Sequence, residues 1–416
     1  PSLPSHALSL GIRPETPPMN PFRRHCRHLR PRARCFGGWL CLTLLAACPV
    51  APAADDPAEH APGRVELRLP GGRVVAGTIV VEAVDGSLLL EHNDGRYELF
   101  PPAGVTAREP LANSPPEGQD LGRQVLASLP AGFDLLVTKH YVVCFNTSRD
   151  YAKWCAALFE RLHDAFGTYW SRAGLEVKAP QRPLVVVIFA DRRSYEAHAA
   201  AELGAAAGSV VGYYNLLNNQ VTTFDLTGSD TLAAARGRQP GRVGLEILTS
   251  PAASGMVATI VHEATHQLAF NGGMHQRLAP VPLWVSEGVA TYFETPDLEN
   301  VRGWRGIGAV NRPRLDHFLA TYRPGMIKAI VTDDAPFRQV GSALDAYAAA
   351  WALTHHLIQT KKQGFVAYQR TLAAKRPLAE DSAETRLREF TAAFGDPADI
   401  EQAVHKAAAR LASRPR

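Results

Sequence analysis

The segment VHEATHQLAFNGG, residues 261–273, constrains this chain more than any other. Gly255 to Phe270 carries an unbroken helical pattern that stops at Asn271-Gly272-Gly273. Within it Thr259, Ile260, Val261, Ala264, Thr265, Gln267 and Leu268 are uncharged, so the helix reads as buried. A buried helix does not hold two histidines and a glutamate without partners, because each unpaired polar group costs free energy away from water. On a helix His262 and His266 lie one turn apart on one face, so both imidazoles reach one ion. Glu263 is rotated by about 100° from His262, close enough to hold a water beside that ion without ligating it.

A catalytic zinc site needs a third protein ligand. The spacing HExxHxxGxxH fails, since positions 269 and 272 are Ala269 and Gly272, and His275 comes too late. The better candidate lies in PLWVSEGVATYFE, where Glu287 follows His266 by 21 residues, room for a turn and a returning helix. Gly288 beside it permits close backbone approach. Glu294 shares the helical face of Glu287 and is placed to hydrogen-bond a metal-bound histidine from behind. The donor set suits Zn2+, although other divalent ions take the same ligands.

VHEATHQ followed by WVSEGVATYFE resembles the gluzincin metallopeptidases, in which HExxH is completed by a glutamate on the next helix. WVSEGVATYFE is similar to the corresponding helix of the thermolysin-like aminopeptidases. Over about residues 120–400 the chain also resembles a family of exported bacterial proteins with a peptidase-like domain and a HEATHQ signature. The resemblance implies a zincin-like catalytic domain in which His262, His266 and Glu287 bind zinc and Glu263 is the general base. It further implies that Tyr347, in DAYAAAWALTHHL, steadies the oxyanion of a tetrahedral intermediate, with His355 and His356 as alternative donors and a core tyrosine beside Trp351 as the plain alternative. The chain lacks a Gly-x-Met-Glu-Asn-like stretch, so exopeptidase activity is not implied.

The rest of the chain frames this domain. HYVVCFN and PLVVVIFA are apolar β-branched runs that read as buried strands, with an amphipathic helix between them on which Tyr151, Trp154, Leu158, Leu162 and Phe166 share a face. A third strand is expected in NNQVTTFDLTG, after a loop GYYNLLN, and its position suggests an edge strand for an extended substrate. From Ser254 the pattern is mainly helical, which gives an α+β body over residues 120–416. Ahead of it, residues 64–110 show alternating apolar positions and three Gly-Gly or Asp-Gly turns, which predict four short strands in a small all-β domain, SH3-like or a meander. That domain is either a packing unit or a surface for an envelope partner.

Charge places the rest. The formal net charge is +4, but residues 1–47 hold seven arginines against one acid, and the remaining 369 residues carry 37 basic and 39 acidic side chains. The body therefore offers no electrostatic reason for a nucleic-acid partner. The basic excess followed by a short apolar run and small residues reads as a signal peptide and cleavage region over 19–53, with residues 1–18 as upstream or mis-called sequence and 54–63 as a tether. Leu45-Ala46-Ala47-Cys48 resembles a lipoprotein box that would lipidate Cys48 and anchor the chain to a membrane, whereas Ala51-Pro52-Ala53 fits ordinary cleavage. In an exported chain Cys144 and Cys155 are a candidate disulfide, with two buried thiols as the alternative. The expectation is an exported zinc peptidase acting on a protein or peptide. Its rival is an envelope scaffold that keeps zinc for structure alone.

Overall fold

The computed structural model describes residues 63–112, 117–228, 248, 251–295, 304, 306–339 and 341–414. All of them lie in the compact unit Cys35–Arg416. The leader, the cleavage sites, Cys48 and all but the last residue of the tether lie outside the described residues. Among the described residues no helix is long and apolar enough to cross a membrane.

The small domain is an antiparallel sheet of five strands rather than the four expected: β1 Arg64–Arg68, β2 Val74–Glu82, β3 Leu88–His92, β4 Tyr97–Phe100 and β5 Ala107–Pro110, in the order β4-β3-β2-β1-β5. It is an open meander with β5 added beside β1. Val65, Leu67, Val75, Ile79, Leu88, Leu90 and Phe100 form its own core. The sequence hid β5 because AREP is exposed at every position and so carries no apolar alternation.

The body is built on a second five-stranded sheet: β6 Asp134–Val137, β7 Tyr141–Phe145, β8 Leu184–Phe189, β9 Gly212–Asn215 and β10 Gln220–Phe224, in the order β6-β7-β8-β10-β9. The three central strands are parallel and the two edges antiparallel. Strands β7 and β8 are buried at every residue, as expected of apolar runs covered on both faces. Two expectations are corrected. The segment Gln220–Phe224 is an internal strand, and the edge is β9, drawn from the stretch read as a loop. β9 is only four residues long and its three buried positions are Gly212, Tyr213 and Tyr214, so period and length both failed to announce it.

Helices α1 Gly118–Leu126, α2 Arg149–Ala173 and α3 Arg192–Leu203 pack on this sheet. Ser148 caps α2 by accepting from the Tyr151 N–H, and Gly174 ends it in the left-handed region at φ 88°. Downstream the chain is helical: α4 Pro251–Asn271, α5 Leu283–Phe293, α6 Arg312–Thr321, α7 Met326–Thr332, α8 Ala335–Arg338, α9 Ala343–Thr360, α10 Lys362–Ala373, α11 Ala383–Phe394 and α12 Pro397–Ala412. The architecture is α+β, with the strands first and the helices after. Every residue of α5 from Trp284 to Phe293 is buried, and Trp284 is enclosed by Tyr368, Phe390 and Phe394. Gly288 lets α5 lie directly on α9, since a Cβ there would stand 2.0 Å from Thr354 Oγ1 and 3.1 Å from Ala350 O.

The expected disulfide is absent: Cys144 on β7 and Cys155 on α2 are both free and fully buried. Each thiol is packed into the apolar interface between strand and helix. Burial pushes the Cys144 thiol up to about 12 and raises Cys155 further, although the Tyr151 hydroxyl draws the latter back. Such thiols are inert, because the thiolate is the reactive form. Three outcomes are expected. A thiol reagent will label neither cysteine in the native protein, and reductant will leave the melting temperature unchanged. Gly288→Ala will lower stability by about 1–3 kcal/mol in denaturant titration, because a methyl group there overlaps Thr354.

Candidate metal centre

Helix α4 carries His262 and His266 on consecutive turns, and α5 returns across it with Glu287. The Nε2 atoms of the two histidines are 3.1 Å apart, and Glu287 Oε2 lies 3.1 Å from His262 Nε2 and 3.4 Å from His266 Nε2. Ligand atoms about 2.0–2.1 Å from a tetrahedral ion stand roughly 3.3–3.5 Å from one another, so this triangle has the size of one face of a zinc coordination tetrahedron. The imidazole planes cross at 74°, so their in-plane lone pairs approach a common point from different directions. Each ring is also oriented from behind. His262 Nδ1 lies 2.8 Å from Glu294 Oε2, and His266 Nδ1 lies 3.2 Å from Ser286 Oγ. A proton on each Nδ1, donated to those oxygens, leaves both Nε2 atoms as metal-binding nitrogens. The residues present fit a divalent ion.

Among the described residues one other group has metal-ligand composition: His140, His163 and Asp164. Its geometry argues against it. The two imidazoles are stacked, with centroids 3.7 Å apart and planes at 18°, so their lone pairs run side by side instead of converging.

Electrostatics at the triangle reflect charges kept from water. Burial works against ionisation of Glu287, yet the His266 charge and the hydrogen bonds from both histidines overcome it and hold the carboxyl at about 2. Burial likewise opposes a charge on His262, but Glu287 and Glu294 outweigh it and raise that imidazole to about 9. Metal and proton therefore compete for the same nitrogen. For Glu294 the burial penalty is exceeded by the Arg314 guanidinium and His262, and its carboxyl lies below the usual range. Its Oε1 accepts from Asn311 Nδ2 at 2.6 Å and Arg314 Nε at 3.1 Å.

Glu263 is the contrast. It is not part of the ligand triangle, and its Oε2 accepts a hydrogen bond from the backbone N–H of Tyr214 on β9 at 2.8 Å. Its Oε1 accepts none among the described residues. Burial raises its carboxyl, the two histidines pull it back, and it stands at about 7.

The structure thus brings together His262, His266, Glu287, Glu294 and Glu263. Tyr347 is buried on α9, with the Arg314 guanidinium 5.5 Å from its ring centroid and Phe337 edge-on to it. Of the alternative donors, His355 packs between Trp351 and Tyr292, and His356 lies near Thr360. His275 is buried with Nε2 3.1 Å from Gln369 Oε1, and burial depresses it to about 3. Ser286, Asn311, Arg314 and the Tyr214 amide were not anticipated. Ser286 had the one available signal, its place beside Glu287, while a backbone N–H leaves no mark in the sequence.

Replacing His262, His266 or Glu287 by alanine will remove the metal from a zinc-loaded sample, read by elemental analysis. Glu294→Ala will weaken retention by about 10–100-fold. Because a proton must leave His262, apparent affinity will fall by about tenfold for each unit of pH below about 9, measured with a competing chelator.

Comparison with known proteins adds a partial match. No curated protein matches the chain. Residues 256–379, from the histidine helix through α10, match the model of a family described as "Protein of unknown function (DUF1570)". That stretch is narrower than the 120–400 expected from the resemblance, and its description assigns no activity.

Proposed function

We propose that this chain is a zinc-dependent peptidase, with His262, His266 and Glu287 holding the ion and Glu263 acting as general base. The observation that carries this reading is Glu263 itself. A purely structural site has no use for an extra carboxylate beside the ligands, with one oxygen fixed by a backbone amide and the other accepting no hydrogen bond among the described residues. An ion held by His262, His266 and Glu287 would supply a Lewis acid for a scissile carbonyl and lower the pKa of a water. Glu263 would take the proton from the attacking water and return it to the leaving amine. β9, an edge strand among the described residues, would offer an extended peptide its backbone groups other than the Tyr214 amide. Tyr347 is the proposed oxyanion donor. The leader read at residues 19–53 would put this chemistry in the cell envelope, and Cys48 would tether it to a membrane.

A scaffold that retains zinc for structure draws support from burial, since His262, His266 and Glu287 are 0, 7 and 5 % exposed. Turnover separates the two readings. Glu263→Gln will retain zinc at the wild-type ratio and lose at least about 10²-fold in cleavage of a broad peptide library. Tyr347→Phe will lower kcat with little change in metal content. Wild-type protein that holds zinc and cuts nothing would favour the scaffold.

A further inference from the structure

The histidine helix carries a second stripe of polar residues. Glu263, Gln267 and Asn271 follow one another at intervals of four, so they line one face of α4. All three reach the β9–β10 hairpin. Glu263 accepts from the Tyr214 amide, and Gln267 Nε2 donates to Asn219 O at 3.0 Å and to Val185 O at 2.9 Å. Asn271 exchanges two 2.8 Å hydrogen bonds with the Asn219 side chain, whose Oδ1 also accepts from the Tyr214 hydroxyl at 2.7 Å. Asn219 itself adopts a left-handed backbone, φ 61°, a conformation that asparagine tolerates better than most residues.

The tip of the same hairpin is held from the other side. Arg277, 4 % exposed, donates through Nε and Nη2 to Leu216 O at 2.9 and 2.6 Å and through Nη2 to Leu217 O at 3.2 Å. Its remaining contacts belong to the small domain: Gly95 O at 2.9 Å, Glu91 Oε1 at 2.9 Å, and the face of Tyr97, whose centroid is 3.7 Å from the guanidinium carbon. The Tyr97 amide donates to Leu217 O at 2.7 Å, and Glu91 is shared with Arg182 at 3.0 Å. The turn carbonyls at 216 and 217 thus find their donors in Arg277 and the small domain, and buried carbonyls must be satisfied somewhere.

We propose that Arg277 is a positioning residue that locks the small β domain to the tip of the β9–β10 hairpin and so fixes the Tyr214 amide against Glu263. The small domain is then a working part of the metal centre and not a separate binding module. Loss of the guanidinium takes a donor from the carbonyls of Leu216, Leu217 and Gly95, leaves the Tyr97 amide as the link between Leu217 and the small domain, and removes one of the two arginines from Glu91, which loosens the tip. The looseness passes to β9 because, among the described residues, that strand pairs with β10 alone. The catalytic consequence rests on the peptidase reading; the positioning itself does not. A displacement of about 1 Å at a positioned group is enough to cost about 10²-fold in rate.

The test uses the whole zinc-loaded protein, with Arg277→Met, which keeps the apolar stem, and Arg277→Lys, which keeps the charge. Hydrogen exchange of residues 212–219, zinc content, kcat and KM are measured. In Arg277→Met the Tyr214 amide should exchange at least about tenfold faster while β7 and β8 amides are unchanged and zinc stays bound. If the protein cleaves peptides, kcat should fall more than KM rises, with partial recovery in Arg277→Lys. Unchanged exchange at Tyr214, or equal acceleration throughout the fold, overturns the proposal. Should Arg277→Met fail to fold, Glu91→Gln and Tyr97→Leu, made within the small domain, must give the same local effect at smaller amplitude, and an absent effect there overturns it equally. Wild-type protein without cleavage would sink the peptidase reading alone, and the exchange result would still decide the positioning.

Discussion

Between α4 and α5 the protein buries two imidazoles and three carboxylates, a set of charges that low-dielectric surroundings tolerate only when each member is paired. The pairing dictates much of the local architecture. His262 must meet Glu287 on one side and Glu294 on the other, which fixes both the rotation and the crossing of the two helices. Glu294 in turn is held by Asn311 and Arg314, so the start of α6 belongs to the same electrostatic unit. Glu263 takes its one fixed contact from the sheet. Removing one partner from such a set is costly because the others remain buried and unsatisfied.

The packing around this cluster follows from the same need. Charged side chains can meet only if the helices carrying them approach closely, and α5 lies on α9 at a distance that leaves no room for a Cβ at Gly288. On the far side Trp284 is locked among Tyr368, Phe390 and Phe394, which ties the C-terminal helices to the element that supplies Glu287. The helical tail therefore serves as the support of the ligand helix. The sheet does the corresponding work for α4 through Gln267, which bonds to the backbone of both β8 and the hairpin turn.

What the sequence made legible was side-chain chemistry at helical spacing. His262, His266 and Glu263 could be assigned to one helix because period 3.6 sorts faces, and Glu287 and Glu294 were legible because acids on an apolar helix need a reason. The α+β order of the body followed from the order of apolar runs. What stayed hidden acts through the main chain or across long separations. The Tyr214 amide contributes an N–H that any residue other than proline would supply, and Arg277 meets Glu91 across 186 positions of sequence. The cysteines were left between two readings, a disulfide suited to an exported chain and two buried thiols, and Cys144 and Cys155 are the second.

The clamp on Glu294 bears on the order in which the molecule can be assembled. Both nitrogen ligands and Glu287 are synthesised before residue 288, but the groups that hold the Glu294 carboxylate, Asn311 and Arg314, arrive more than twenty residues later in the chain. Until α6 docks, the imidazole of His262 has its hydrogen-bond acceptor but that acceptor has no anchor. An ion met early would sit on a ligand still free to turn. Any coordination by this triangle would therefore be completed only once α6 has docked.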